Sequence, residues 1–253
     1  SKVYDGNTDV VVAGGVPSGM IFGDDVTVIT KAKYDNQNVG DNKTITVSYE
    51  LTGTDAGKYT APDSTTVNNG VITPKPITIT AQPKVKVYGE ADPELTYEYP
   101  YVDLVGTDVF TGALVRDAGE NVGAYIIKRG TLDNPNYNIT FVSDDLTITQ
   151  RPITITADNK TKVAGEIDPA LTYTVTAGSL VAGDVLGGSI TRVAGETAAQ
   201  YEINAGTLNN PNYLIAFNNG VFTITAAPVV PSNNTNTTTS GTSATTTSTE
   251  TAD

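Results

Sequence analysis

From Ile77 the chain alternates apolar and polar side chains: Ile77, Ile79 and Ala81 are separated by Thr78 and Thr80. Ile153, Ile155 and Ala157 repeat the arrangement, and Leu146 with Ile148 and Phe222 with Ile224 repeat it in shorter form. Successive side chains of a strand point to opposite faces, so a period of two in β-branched residues predicts strands with one buried face. Turn signals stand between these runs at Asp92-Pro93, Asn134-Pro135-Asn136 and Asn210-Pro211-Asn212. Proline fixes φ and Asx side chains bond the nearby backbone, so each of these ends a strand. No window sustains a helical apolar period beyond a turn or two. The best helix candidates, Asp103 to Phe110 and Ser179 to Leu186, are short enough to be loops. The expected fold class is mainly β, mostly or wholly without helix.

The pattern is itself repeated. Pro76 to Arg151 aligns with Pro152 to Ala227 at a constant offset of 76 residues, without a gap and with about half the positions identical. Both copies open on PITITA, carry KVYGEADPELTY at Lys86 to Tyr97 or KVAGEIDPALTY at Lys162 to Tyr173, pass through NPNY and close on a TIT strand. Residues 1–75 form a more distant unit, with VYDG at Val3 to Gly6, GDDV at Gly23 to Val26, NVGDNKTITV at Asn38 to Val47 and GTDAGKYT at Gly53 to Thr60. The expected domains are therefore 1–75, 76–151 and 152–227.

The joins Pro74-Lys75-Pro76 and Gln150-Arg151-Pro152 are too short and too proline-bearing to act as floppy tethers. A unit of this size buries only roughly 60% of its unfolded surface, so neighbours are expected to add to its stability. Three compact units of about 30 Å each, set in line, make a rod on the order of 100 Å. Within a unit, a small sandwich and a β-grasp-like sheet with a short helix both fit, because β propensity reports a half-buried surface more than a connection. Residues 228–253 are dominated by Pro, Ser, Thr, Asn and Ala, cannot bury enough apolar surface to fold, and read as a disordered linker or tail.

A net charge of −13 and a pI near 4.3 repel polyanions, so neither nucleic acid nor an anionic bilayer is an expected partner. No run approaches the roughly 18 apolar residues that span a bilayer, and an export signal, if there is one, is expected outside this stretch. The sequence has no cysteine and no histidine. That removes thiolate nucleophiles, the commonest general base and the commonest transition-metal ligand together, and no enzymatic role is expected. A cysteine-free acidic chain also suits a large protein that crosses an oxidising compartment unfolded.

Several residues remain as candidates for chemistry. Glu90 with Asp92, and Glu166 with Asp168, are spaced for proton sharing or for a hard cation. The favoured reading is a turn-initiating Asp and a solvated Glu, since the pairs recur with no cofactor motif beside them. Asp24 and Asp25, with Asp108 and Asp184, are calcium candidates at a unit junction, although nothing resembles an EF-hand or RTX loop and no cofactor is expected overall. Tyr97, Tyr99 and Tyr101 fall on one side of a strand and offer an aromatic platform for a sugar. Their counterparts Tyr173, Val175 and Ala177 favour core, with Tyr101 the exposed member, which leaves Tyr99 and Tyr101 as ligand-binding candidates. Arg116 and Arg192 each precede a glutamate by four residues, Glu120 and Glu196, and an ion pair inside the repeat is favoured over a grip on an acidic ligand. Asn42, Asn138 and Asn159 satisfy the glycan acceptor pattern.

These motifs resemble a known family pair. Residues 76–151 and 152–227 are similar to the MBG repeat of the YGX type found in large bacterial surface adhesins, through Lys86 to Tyr97, RDAGENVGAY at Arg116 to Tyr125 and ITFVSDDLTIT at Ile139 to Thr149. Residues 1–75 resemble the accompanying YDG repeat through KVYDG at Lys2 to Gly6 and Gly53 to Thr60. The resemblance implies an extracellular segment of a haemagglutinin-like adhesin, a stalk that projects a binding region and supports cell adhesion or biofilm formation. Its implied partners are neighbouring repeats, host or matrix glycans, or like adhesins. A glycan- or mucin-binding module and an accessory portion of a surface hydrolase are the alternatives. The third unit departs from the pattern: the family tyrosine is Ala164, and the N-V-G of the later motif is lost, with Ala198, Ala199 and Gln200 running up to Tyr201. Alanine at 164 favours a packing role for that position.

Overall fold

A computed structural model describes residues 1–15 and 17–229. The expected linker or tail lies, beyond its first two residues, outside the described residues. The first stretch comprises β1 (Lys2–Val3), β2 (Asp9–Val10), β3 (Thr27–Tyr34), β4 (Gly40–Thr52) and β5 (Thr65–Thr73). They make one five-stranded sheet in the order β1-β5-β4-β3-β2, with β1 parallel to β5 and the other neighbours antiparallel. Ala32, Tyr34 and Ile72 are its buried apolar residues, and Lys43 is buried among them with its ammonium 2.7 Å from Asn36 Oδ1 and 3.2 Å from Asp35.

A single residue separates β5 from β6 (Lys75–Ala81), which is followed by β7 (Lys84–Val87), β8 (Tyr97–Glu98), β9 (Val115–Arg116), β10 (Gly123–Lys128), β11 (Tyr137–Val142) and β12 (Asp144–Thr149). These divide into a three-stranded sheet, β11-β6-β8, and a four-stranded sheet, β7-β12-β10-β9. The predicted alternation is realised in β6: Ile77, Ile79 and Ala81 are buried and opposite the parallel strand β11, in register Ile77 to Ile139 and Ile79 to Phe141. The next repeat contributes β13 (Arg151–Ala157), β14 (Lys160–Val163), β15 (Tyr173–Ala177), β16 (Thr191–Arg192), β17 (Ala199–Asn204), β18 (Tyr213–Asn218) and β19 (Gly220–Thr225). Its sheets, β15-β13-β18 and β14-β19-β17-β16, follow the same scheme.

The described chain divides into two compact units that cut across the sequence period. One holds residues 1–153 with 178–186 and 209–216; the other holds 154–177, 187–208 and the stretch that begins at Phe217. The second unit's core shows how a repeat is closed. Ala157 and Tyr173, from β13 and β15, meet Ile203, Phe222 and Ile224, from β17 and β19, so side chains of both sheets share one apolar cluster. That is the sandwich arrangement of the two alternatives.

Neither helix candidate forms. Asp108 N–H bonds Val105 C=O at 3.0 Å and Asp184 N–H bonds Val181 C=O at 3.0 Å, one turn each, with no run of successive turns behind them. Single 3₁₀ turns at Ala56–Lys58 and Tyr101–Asp103 are the helical elements of the described residues, and among these no helix is long and apolar enough to cross a membrane. Tyr97, Tyr99 and Tyr101 do not share a strand. β8 ends at Glu98 because Pro100 has no N–H for a ladder, and the chain turns into the 3₁₀ segment that carries Tyr101.

Candidate functional site

Two constellations recur at the repeat offset. The first is an ion cluster. In β7 the usual face is inverted, since Val85 points to solvent and Lys86 is buried. The Lys86 ammonium lies 2.6 Å from Asp92 Oδ1 and 2.6 Å from Glu120 Oε2. Arg116, from β9, brings Nε to 2.6 Å and Nη2 to 3.0 Å of the Asp92 carboxylate and also pairs with Glu120, while its Nη1 donates to the carbonyls of Asp117 and Gly119. The Tyr125 ring lies 5.3 Å from the guanidinium. Lys162, Asp168, Arg192 and Glu196 repeat the set, with Lys162 to Asp168 and Arg192 to Asp168 both 2.6 Å. Bonds from Arg116 and then Lys86 hold the Asp92 carboxyl down at about 2, and Arg192 and then Lys162 do the same to Asp168. The donors and acceptors here answer one another, so the cluster fastens the Asp-Pro turn and the β9–β10 loop to β7.

The second constellation joins one repeat to the next. Tyr4, just past β1, is buried, and its hydroxyl donates to Asp108 Oδ2 at 2.9 Å. Tyr137 donates to the same oxygen at 2.8 Å and accepts the Val105 N–H at 2.8 Å, and the two rings meet edge to face with centroids 5.7 Å apart. Gly6 lies against Val105 so closely that a Cβ on it would meet Cγ1 at 2.5 Å. Asn136 completes the joint by accepting the Val39 N–H at 3.0 Å. One period later, within the same compact unit, every part returns. Tyr88 and Tyr213 donate to Asp184 Oδ2 at 2.9 and 2.5 Å, Val181 N–H bonds Tyr213, Gly89 lies against Val181, and Asn212 accepts Val122 N–H at 3.0 Å. Burial and then the Asp108 bond push Tyr4 up to about 12; burial likewise raises Tyr137 to about 12, so both stay neutral donors.

Family models match along the chain in this order. The YDG domain matches residues 1–67, and the MBG domain (YGX type) matches 77–147 and 153–223, together more than half of the chain. The chain belongs to the MBG domain (YGX type) family. No curated protein and no solved structure matches it. The joints therefore link the YDG domain to the first MBG repeat, and that repeat to segments 178–186 and 209–216 of the second.

The structure distributes the sequence candidates differently from their proposed groupings. Asp108 and Asp184 lie at junctions, but as acceptors of tyrosine hydroxyls. Asp24 accepts from Tyr59 at 2.6 Å and Lys58 at 3.2 Å, and Asp25 accepts from Thr54 N–H at 3.2 Å. Each of the four aspartates has its own donors, and among the described residues no group of three such side chains is placed to hold a metal ion. Glu90 is exposed and does not share Asp92, whose partners are the two basic residues. Tyr97 and Tyr99 pack with Phe110, whereas Tyr101 is 81% exposed. Lys86 and Lys162 were missed because period two shows an alternation without showing which face is buried. Ala164 takes the packing role expected of it, beside its own repeat's core, whereas Tyr4 and Tyr88 at the equivalent positions also reach a neighbouring repeat, which the alanine gives no sign of.

Proposed function

We propose that the chain is a spacer segment of an extracellular bacterial surface adhesin, a stalk whose repeats hold a binding region away from the cell and serve adhesion or biofilm formation without catalysing a reaction. The observation that supports this reading is the twice-built Tyr–Asp–Tyr joint. Bending such a joint breaks one tyrosine bond to the next repeat's carboxylate and one backbone bond to its asparagine, and uncovers two rings packed edge to face, so the motifs the repeats share stiffen the connection. The membership in MBG and YDG repeat families supports the same role. The acidic surface, at −13 overall, favours solvated, mutually repelling chains over nucleic-acid or bilayer contact. Small-angle scattering of the whole chain is expected to give a maximum dimension on the order of 100 Å; a compact globule counts against the spacer.

One observation favours a second reading, a glycan-binding surface. Tyr101 and Val102 present apolar area to solvent on the turn that follows Tyr99. A glycan array probed with the whole chain and with Tyr101→Ala decides it, and a blank array from folded protein removes it.

A further inference from the structure

Among the described residues, the corner that receives a neighbour's tyrosine is built three times and filled twice. At Asp108 and Asp184 the pattern is a one-turn bond from the aspartate N–H to a valine carbonyl, that valine's N–H donating to the local tyrosine hydroxyl, and the same hydroxyl donating to carboxylate Oδ2. The YDG domain holds the pattern in full. Asp24 N–H bonds Ile21 C=O at 3.1 Å, Ile21 N–H bonds the Tyr59 hydroxyl at 3.0 Å, and Tyr59 donates to Asp24 Oδ2 at 2.6 Å. Two things set it apart. Asp24 Oδ2 accepts a single hydroxyl where Asp108 and Asp184 accept two. Ile21, which stands where Val105 and Val181 are covered by Gly6 and Gly89, is 69% exposed, and Phe22 beside it is fully exposed. Tyr59 also borders a cleft of about 250 Å³ with Met20, Val26, Leu51 and Pro62.

We propose that the Asp24–Tyr59–Ile21 corner is a docking site for the tyrosine–glycine end of another repeat of this family. The incoming hydroxyl donates to Asp24 Oδ2 and the incoming glycine seats on Ile21, as Tyr4 with Gly6 and Tyr88 with Gly89 do at the filled corners. Lys58 precedes Tyr59 where Asn136 and Asn212 precede Tyr137 and Tyr213. The Lys58 ammonium pairs with Asp24 at 3.2 Å and Asp55 at 2.7 Å and cannot accept, so the N–H bond that Asn136 and Asn212 receive has no counterpart at this corner. The occupant is not the second MBG repeat of another copy. That repeat carries Ala164 for the tyrosine, and Thr197 and Ala198 at the positions of Asn121 and Val122; among the described residues nothing lies within 4 Å of a Cβ built on its Gly165.

The inference goes beyond the spacer role and is tested separately from it. In the whole chain, Ala164→Tyr with Thr197→Asn and Ala198→Val supplies the missing plug, and each molecule then carries both halves of a heterologous, head-to-tail contact. Sedimentation is expected to show the unmodified chain as a monomer and the triple variant as oligomers that grow with concentration. Adding Asp24→Asn is expected to return the monomer. Ala164→Tyr alone is the second donor should the triple variant lose its strand spectrum. A variant that stays monomeric to millimolar concentration, or association that survives Asp24→Asn, overturns the proposal. Either result leaves the scattering of the unmodified chain, and with it the spacer reading, untouched.

Discussion

The Tyr88 hydroxyl lies 2.9 Å from Asp184 Oδ2, an acceptor 96 positions further along the chain. Tyr4 makes the same bond to Asp108 at 2.9 Å across 104 positions. A strand-end tyrosine in one repeat therefore finishes the hydrogen bonding of a loop carboxylate in another. Bonds to charged acceptors are stronger than neutral ones, and without this one the half-buried carboxylate keeps the hydroxyl of its own repeat's tyrosine.

Tyr88→Phe keeps the ring contact with Tyr213 and removes the donor. It is expected to lower stability by about 1–3 kcal/mol. Urea denaturation of the whole chain, with Asp184→Asn and the double variant, closes a cycle. The coupling between the two sites is expected to account for most of the single effects.

Alkaline pH attacks the same joint. Tyr4 and Tyr137 have native values of about 12 against 10.0 for the free side chain, so the neutral form is favoured by folding. The stability this contributes is complete below pH 10 and is lost as pH rises toward about 12. Ultraviolet titration of tyrosinate is expected to show a late-ionising class that Tyr4→Phe reduces, and unfolding midpoints are expected to fall across that window.

The ion clusters act at the other end of the scale. Asp92 and Asp168 have native values of about 2 against 3.8, a depression that contributes stability above pH 3.8 and loses it as pH falls through about 2. Denaturation midpoints are expected to drop over that interval, and Asp92→Asn with Asp168→Asn to flatten the drop. Lys86→Met leaves Asp92 and Glu120 without their buried counter-ion. Both carboxylates are partly solvated, so the expected loss is about 1–3 kcal/mol, between exposed and fully buried pairs.

Gly89 and Gly165 occupy equivalent positions with φ of +80° and +90°. Alanine is strained at both, but among the described residues only at Gly89 does the added Cβ run into a neighbour, Val181 Cγ2. Gly89→Ala is expected to cost more than Gly165→Ala by about 1–3 kcal/mol, the usual range for overpacking. Equal losses in thermal denaturation count against a close seat of Gly89 on Val181.

Much of the architecture was legible beforehand. The alternation at Ile77 to Ala81 and Ile153 to Ala157 predicts the central strands, and the repeated NPNY and Asp-Pro turns predict where strands stop. Other features were not. The KVKV of β7 has a period of two, yet the apolar Val85 faces out and Lys86 faces in, because the counter-charges that make a buried lysine tolerable come from Asp92 and Glu120.

By itself the sequence determined that the chain is a series of β repeats, because strand periodicity, turn chemistry and an ungapped offset are all local or self-referential signals. Only the tertiary structure decided what the repeated motifs are for. Tyr4, Asp108 and Tyr137, or Tyr88, Asp184 and Tyr213, sit far apart in sequence, and the side chains look alike whether they are core, ligands or joints. Which they become depends on what stands opposite them, and that is fixed by how one repeat meets the next.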